Sequence, residues 1–215
     1  MAKQFSLTAR DEDVLEMLTR NVGKLSLRQY ERTWFGHLKH SRMAATNRLR
    51  ALRRNDLVTV MQTTMHPEIP IKPLFTWTPG APAPNAGRLS WKLRSRWNLS
   101  PNRTTIILPT KKAASLVGGF AVQPPRSRAL LHDIHVTAIY LKIAKTRPSI
   151  ADHWVHESAL FHQGYGQNGV PLPDALLELK KPLAIDFGGS YSKEKIMRMH
   201  NAYTRSGRSL SYQIW

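Results

Sequence analysis

Residues 40–56, HSRMAATNRLRALRRND, constrain the fold more than any other stretch, because a segment this cationic can pack by only one narrow side. It carries Arg42, Arg48, Arg50, Arg53 and Arg54. Wound as a helix at about 100° per residue, it aligns Ala45, Leu49 and Leu52 into a thin apolar stripe suited to a small core. Met43, Asn47, Arg50 and Arg54 then fall on the opposite side. A solvated basic face is the plain reading of such a helix, so the flanking sequence has to decide.

Two shorter helices are predicted before it. Thr8 followed by Asp11 is a capping-box pattern, Asp11, Glu12 and Asp13 complement the helix dipole, and Val14, Leu15, Leu18 and Val22 supply the buried side. Beyond Gly23, Ser26 with Gln29 repeats the pattern, and Leu27, Tyr30 and Trp34 share a face that ends at Gly36. After the arginine-rich helix, residues 57–65 (LVTVMQTTM) and 71–77 read as strands around a Pro67 and Pro70 turn. Three helices and a β-hairpin in this order predict a winged helix-turn-helix over residues 1–80, with residues 66–72 as the wing. Pro70 and Pro73 make the hairpin imperfect, since neither donates to a ladder.

In that fold the third helix enters the major groove of duplex DNA. Ser41, Thr46 and Asn47 are short enough near its N-terminus to approach base edges, and Thr46, Asn47 and Arg50 are the expected discriminating contacts. Lys39, Arg53, Arg54 and Lys72 are the expected phosphate contacts, and Arg42 is a further expected DNA-binding residue. The charge agrees: 32 Lys and Arg against 14 Asp and Glu leave +18, divided as +11 over residues 1–110 and +7 over residues 111–215. A polyanionic partner gains from this by counterion release. Paired copies on an inverted repeat, a homodimer, are the expected assembly.

The remaining residues bound the alternatives. No run is long and apolar enough to span a bilayer, the N-terminus has no signal-peptide core, and there is no cysteine for disulfides or thiolate metal sites, so a cytoplasmic location and no membrane partner are expected. Residues 78–87, TPGAPAPNAG, form a loop or hinge. Within residues 81–125, Leu89, Leu93 and Trp97 repeat every four residues among Arg88, Lys92, Arg94 and Arg96, which allows either a second nucleic-acid-facing helix or a packed one. A strand over 104–108 and a small helix ending at Gly118 and Gly119 follow. From Arg126 a small α/β domain is expected to residue 215: a helix over 128–146, strands over 172–179, 183–187 and 210–215, and a helix over 192–205, with residues 154–161 ambiguous.

Read together, LTARDEDVLEML, RMAATNRLRALRRNDLV, TTIILPTKKAASLV, HDIHVTAIYL, Trp154 with Glu157, PDALLEL and PLAIDFGGSY resemble, in order and spacing, the replication-relaxation family of plasmid and mobile-element proteins. The resemblance implies an N-terminal winged helix that binds DNA, and a role in replication, mobilisation or gene control of a plasmid, phage or other mobile element. Members tend to carry an acidic pair followed by Arg-Gly-Thr where this chain has Asp186-Phe187-Gly188-Gly189-Ser190.

Pro173-Asp174 with Asp186 twelve residues on also resembles the PD-(D/E)xK arrangement, which gives the C-terminal domain a restriction-endonuclease-like expectation. There two carboxylates hold Mg²⁺ beside a lysine. Glu157 could add a ligand, but the lysine position is Gly188, so Lys195 or Lys193 would have to reach in. A degenerate scaffold without cofactor is the leading expectation and a Mg²⁺-dependent DNA endonuclease the alternative. His132 and His135, one turn apart, are expected to cap or pack rather than bind zinc, for no HEXXH pattern is present.

Overall fold

The chain begins to fold where its two capping boxes predict. Thr8 accepts from the Asp11 amide while the Asp11 carboxylate accepts from the Thr8 N–H at 2.7 Å, which starts helix α1 (Ala9–Glu16). A π-helical stretch, Met17–Val22, prolongs it to Gly23, whose φ of 75° suits a residue without Cβ. Strand β1 (Leu25–Ser26) leads into α2 (Leu27–Trp34), capped by Ser26 and Gln29. Gln29 is fully buried and sends its Nε2 to the Ile134 carbonyl at 2.8 Å. At Gly36 the chain turns so tightly that a Cβ would lie 2.6 Å from the Arg32 carbonyl oxygen, so only glycine fits. Helix α3 (Ser41–Arg54) follows, with Ala45, Leu49 and Leu52 buried as the stripe requires.

The computed structural model describes residues 5–69, 71–119, 129–167, 171–205 and 209–215. It is a mixed α+β protein of two units, each assembled from separated stretches: Met1–Pro67 with Ser100–Thr137, and Glu68–Leu99 with Ala138–Trp215. This partition is discontinuous, unlike the contiguous blocks 1–80, 81–125 and 126–215 expected from composition. The expected starts of the second domain at Arg126 and of its helix at residue 128, and the Pro70 turn, lie outside the described residues.

In the first unit, β2 (Val58–Met65) does not pair with residues 71–77. It pairs antiparallel with β4 (Asn102–Pro109), from Val58↔Pro109 to Met65↔Asn102, and β1 pairs on the other side of β4, giving the order β1-β4-β2. The physical reason is the quality of the ladder. Residues 102–109 offer eight partners with Ile106, Ile107 and Leu108 buried, whereas Pro73 interrupts 71–77. Helix α5 (Lys111–Val117) and the first part of α6 (Leu130–Thr146) complete the unit, Leu130 and Ile134 packing with Met65, Ile106 and Leu108.

The second unit holds β3 (Phe75–Trp77), α4 (Ala86–Arg94), the rest of α6, α7 (Pro148–Ala151), β5 (Trp154–His156), α8 (Glu157–His162), β6 (Ala175–Leu177), β7 (Leu183–Asp186), α9 (Lys193–Thr204) and β8 (Ser211–Ile214). Its sheet runs β3-β8-β7-β6-β5, antiparallel except for β7 beside β8, which α9 connects. The ambiguous residues 154–161 are thus a strand and then a helix, and the strand expected over 172–179 shortens to three residues. Trp77, Leu89, Leu93, Leu176, Tyr203 and Tyr212 share its core. Among the described residues no helix is long and apolar enough to cross a membrane.

Candidate nucleic-acid interface

Because its apolar stripe is a single line of three residues, α3 is buried along that line and open elsewhere. Arg42, Met43, Asn47, Arg50, Arg53 and Arg54 are exposed. An open cleft of about 520 Å³ lies along the N-terminal half of the helix, lined by Lys39, His40, Ser41, Arg42, Met43, Thr46, Asn47 and Arg50. The side chains on this face are braced against one another. Arg50 Nη1 donates to Asn47 Oδ1 at 3.0 Å and Thr46 Oγ1 to the Arg42 carbonyl at 2.7 Å, while Glu31 receives both Ser41 Oγ at 2.8 Å and Arg42 Nη1 at 3.1 Å. Arg53 and Arg54 stand beyond the cleft in the last turn.

One arginine turns the other way. Arg48 sits four residues before Leu52 and three after Ala45, on the flank of the stripe, and it grips Asp11 of α1. Its Nε donates to Oδ1 at 2.8 Å and its Nη2 to Oδ2, with a second bond from Nη2 to the Ser6 carbonyl at 2.8 Å. The Asp11 side chain is wholly buried. Burial pushes its pKa up, but the bonds from Arg48 and Thr8 outweigh that and hold it below the ordinary aspartate value. Asp11 thus ties the start of α1 to the middle of α3, so the helix presenting the cleft cannot roll freely.

Lys72 is corrected. It lies in the stretch that enters the second unit, before β3, and not at the tip of a β2 hairpin. Two cleft residues, His40 and Met43, were not anticipated; Met43 was on the correct side by helical phase, but its lack of charge hid it.

The carboxylates of the second unit lie in a row. β5, β6 and β7 pair through His156↔Ala175 and Ala175↔Ile185, and Glu157, Asp174 and Asp186 each stand one residue further on, at the same end of three neighbouring strands. All three raise the pKa of the partly buried Tyr191 hydroxyl, after desolvation itself. Lys195 Nζ sits 3.6 Å from the centroid of the Tyr191 ring, and Glu157 is exposed at the start of α8. Yet Asp174 Oδ2 accepts from the Phe187 N–H at 2.6 Å, and Asp186, 5% exposed, accepts from the Tyr203 hydroxyl at 2.8 Å. Among the described residues no three His, Asp or Glu side chains converge as a metal ion would need. His135 is buried with Nδ1 2.6 Å from the Leu131 carbonyl, and His156 caps α8.

No family model, curated protein or solved structure matches the chain.

Proposed function

We propose that the chain is a sequence-specific double-stranded DNA-binding protein, a transcriptional regulator or a replication or mobilisation accessory factor of a plasmid, phage or other mobile element. The reading rests on one observation: α3 buries Ala45, Leu49 and Leu52 and turns Arg42, Asn47, Arg50, Arg53 and Arg54 to solvent beside an open cleft. The succession α1-β1-α2-α3-β2-β4, with sheet order β1-β4-β2, supports a winged helix-turn-helix with α3 as its recognition helix. On this reading the wing is the β2–β4 connection, into which residues 68–99 of the second unit are inserted. Asn47 and Arg50, already hydrogen-bonded to each other, are pre-positioned for adenine and guanine edges, while Lys39, Arg42, Arg53 and Arg54 supply phosphate contacts. Two copies on an inverted repeat would set paired helices about one helical turn apart.

For the second unit we propose a nuclease-like scaffold in the manner of the replication-relaxation resemblance, its carboxylate row turned to structural use. Asp174 and Asp186 each accept a hydrogen bond from the protein's own donors, the Phe187 N–H and the Tyr203 hydroxyl, which supports the structural reading.

Selection of bound duplexes from a random pool tests the reading. Against a selected site Arg50→Ala should lose about 1–3 kcal/mol and relax the preference at one position, whereas Arg54→Ala should weaken all sequences alike. An Arg50→Ala protein with unchanged affinity and unchanged preference would remove α3 from the interface.

A further inference from the structure

Helix α4 buries Leu89 and Leu93 and leaves its other side to solvent. On that side Trp91 is 69% exposed, more than any other large apolar side chain among the described residues. Its neighbours follow from helical geometry. Arg88 and Arg94, three residues before and after, lie about 60° to either side of it along the helix surface, and both are exposed. Gly87 and Ser95, four residues before and after, stand axially above and below the ring and leave it open. Arg94 is held in place, its Nη2 donating to Ser90 Oγ at 2.7 Å while Ser90 donates to the Tyr191 carbonyl at 2.8 Å.

Nothing inside the fold asks for a glycine at 87. A Cβ there would meet only Asn85 Oδ1, at 3.7 Å, although glycine is among the poorest helix formers. The surrounding sequence is also one-signed. From Ile69 through His132 there is no carboxylate side chain, against ten lysines and arginines.

We propose that this side of α4 binds single-stranded DNA, Trp91 stacking on an unpaired base while Arg88 and Arg94 hold the phosphates that flank it. In a duplex the base faces are covered by their neighbours, so an indole reaches one only where the strand is unpaired. A protein groove or a lipid surface would want further apolar bulk around the ring, and within α4 the flanking positions are arginine, glycine and serine. The site shares no residue with the α3 cleft and does not depend on it.

The test uses the full chain and two labelled probes, a 15-nucleotide oligothymidylate and a 20-base-pair duplex, followed by anisotropy. Trp91→Ala should weaken the oligothymidylate by roughly 5- to 150-fold, the range that stacking on one base spans, with Trp91→Phe in between and the duplex affected less than about twofold. Arg88→Ala and Arg94→Ala should each lower the slope of log affinity against log salt by about 0.7 for the single strand. Arg50→Ala should behave in reverse, weakening the duplex and sparing the single strand. Equal oligothymidylate affinities for the wild type and Trp91→Ala would overturn the inference. So would a Trp91→Ala effect confined to sedimentation or to binding of anionic vesicles. A protein that ignores duplex but loses the oligothymidylate with Trp91→Ala would sink the α3 reading and leave this one standing.

Discussion

The link between Asp11 and Arg48 makes a prediction with an unusual asymmetry. The Asp11 side chain is 0% exposed and that of Arg48 25%. Removing the arginine strands a buried carboxylate with only the Thr8 N–H and O–H as donors, so Arg48→Ala should destabilise by about 3–5 kcal/mol. Removing the carboxylate leaves a guanidinium that can turn to water, so Asp11→Ala should cost less, about 2–3 kcal/mol. The double variant should fall short of the sum by about 2 kcal/mol, the coupling expected of side chains in one network. Urea denaturation of the four proteins measures all three quantities. The acid limb is a second readout. The folded pKa of Asp11 lies below its ordinary value, so the contribution is complete above that value and is lost as pH falls through the lower folded one. Stability of the wild type should therefore drop below about pH 4, and Asp11→Ala should flatten that drop. Arg48 points at α1 and not into the cleft, so its loss should leave base preference unaltered. Strict additivity, or an Arg48→Ala protein of normal stability with altered preference, would refute the argument.

Three further outcomes are expected. Gly188→Ala should destabilise by about 1–3 kcal/mol in thermal melts, because its Cβ would fall 2.8 Å from Ile214 Cγ2 and closer still to Leu93 Cδ2, both in the core. Tyr203→Phe, which deprives the buried Asp186 carboxylate of its hydroxyl donor, should cost about 1–3 kcal/mol in the same assay without changing duplex affinity. A fragment of residues 1–80 should show no cooperative melt, since it lacks β4, the middle strand of β1-β4-β2.

Local rules were legible and long-range pairing was not. Both capping boxes close as Thr8 with Asp11 and Ser26 with Gln29 foretell, and the three-residue stripe of α3 buries itself, because these features depend on residues within one or two turns. Nearness in sequence favours residues 71–77 as the partner of β2, while the ladder with 102–109 is longer and meets proline only at its terminal pair, Val58↔Pro109. The inward turn of Arg48 follows from its helical phase beside Ala45 and Leu52, but its partner Asp11 lies 37 residues away, beyond the reach of local spacing. The row formed by Glu157, Asp174 and Asp186 needs the registers of three strands at once, which spacing along the chain does not provide.

The pairing of β2 with β4 also explains why the two units alternate along the chain. The last ladder pair, Met65↔Asn102, holds the two ends of the intervening 36 residues one strand spacing apart whatever lies between them. Lengthening such a connection from about 4 residues to 36 costs only about 2 kcal/mol of closure entropy, because the cost grows with the logarithm of length. The inserted residues fold as part of the second unit. They supply β3, which pairs with β8 at the edge of the second sheet, and α4, whose Leu89 and Leu93 enter the same core as Trp77 and Tyr212. Helix α6 repeats the division, Gln29 and Lys24 of the first unit bonding to Ile134 and Asp133 near its start while Ala138 onward belongs to the second. Neither core is therefore encoded by a contiguous stretch, and composition along the chain could not have marked where one unit ends.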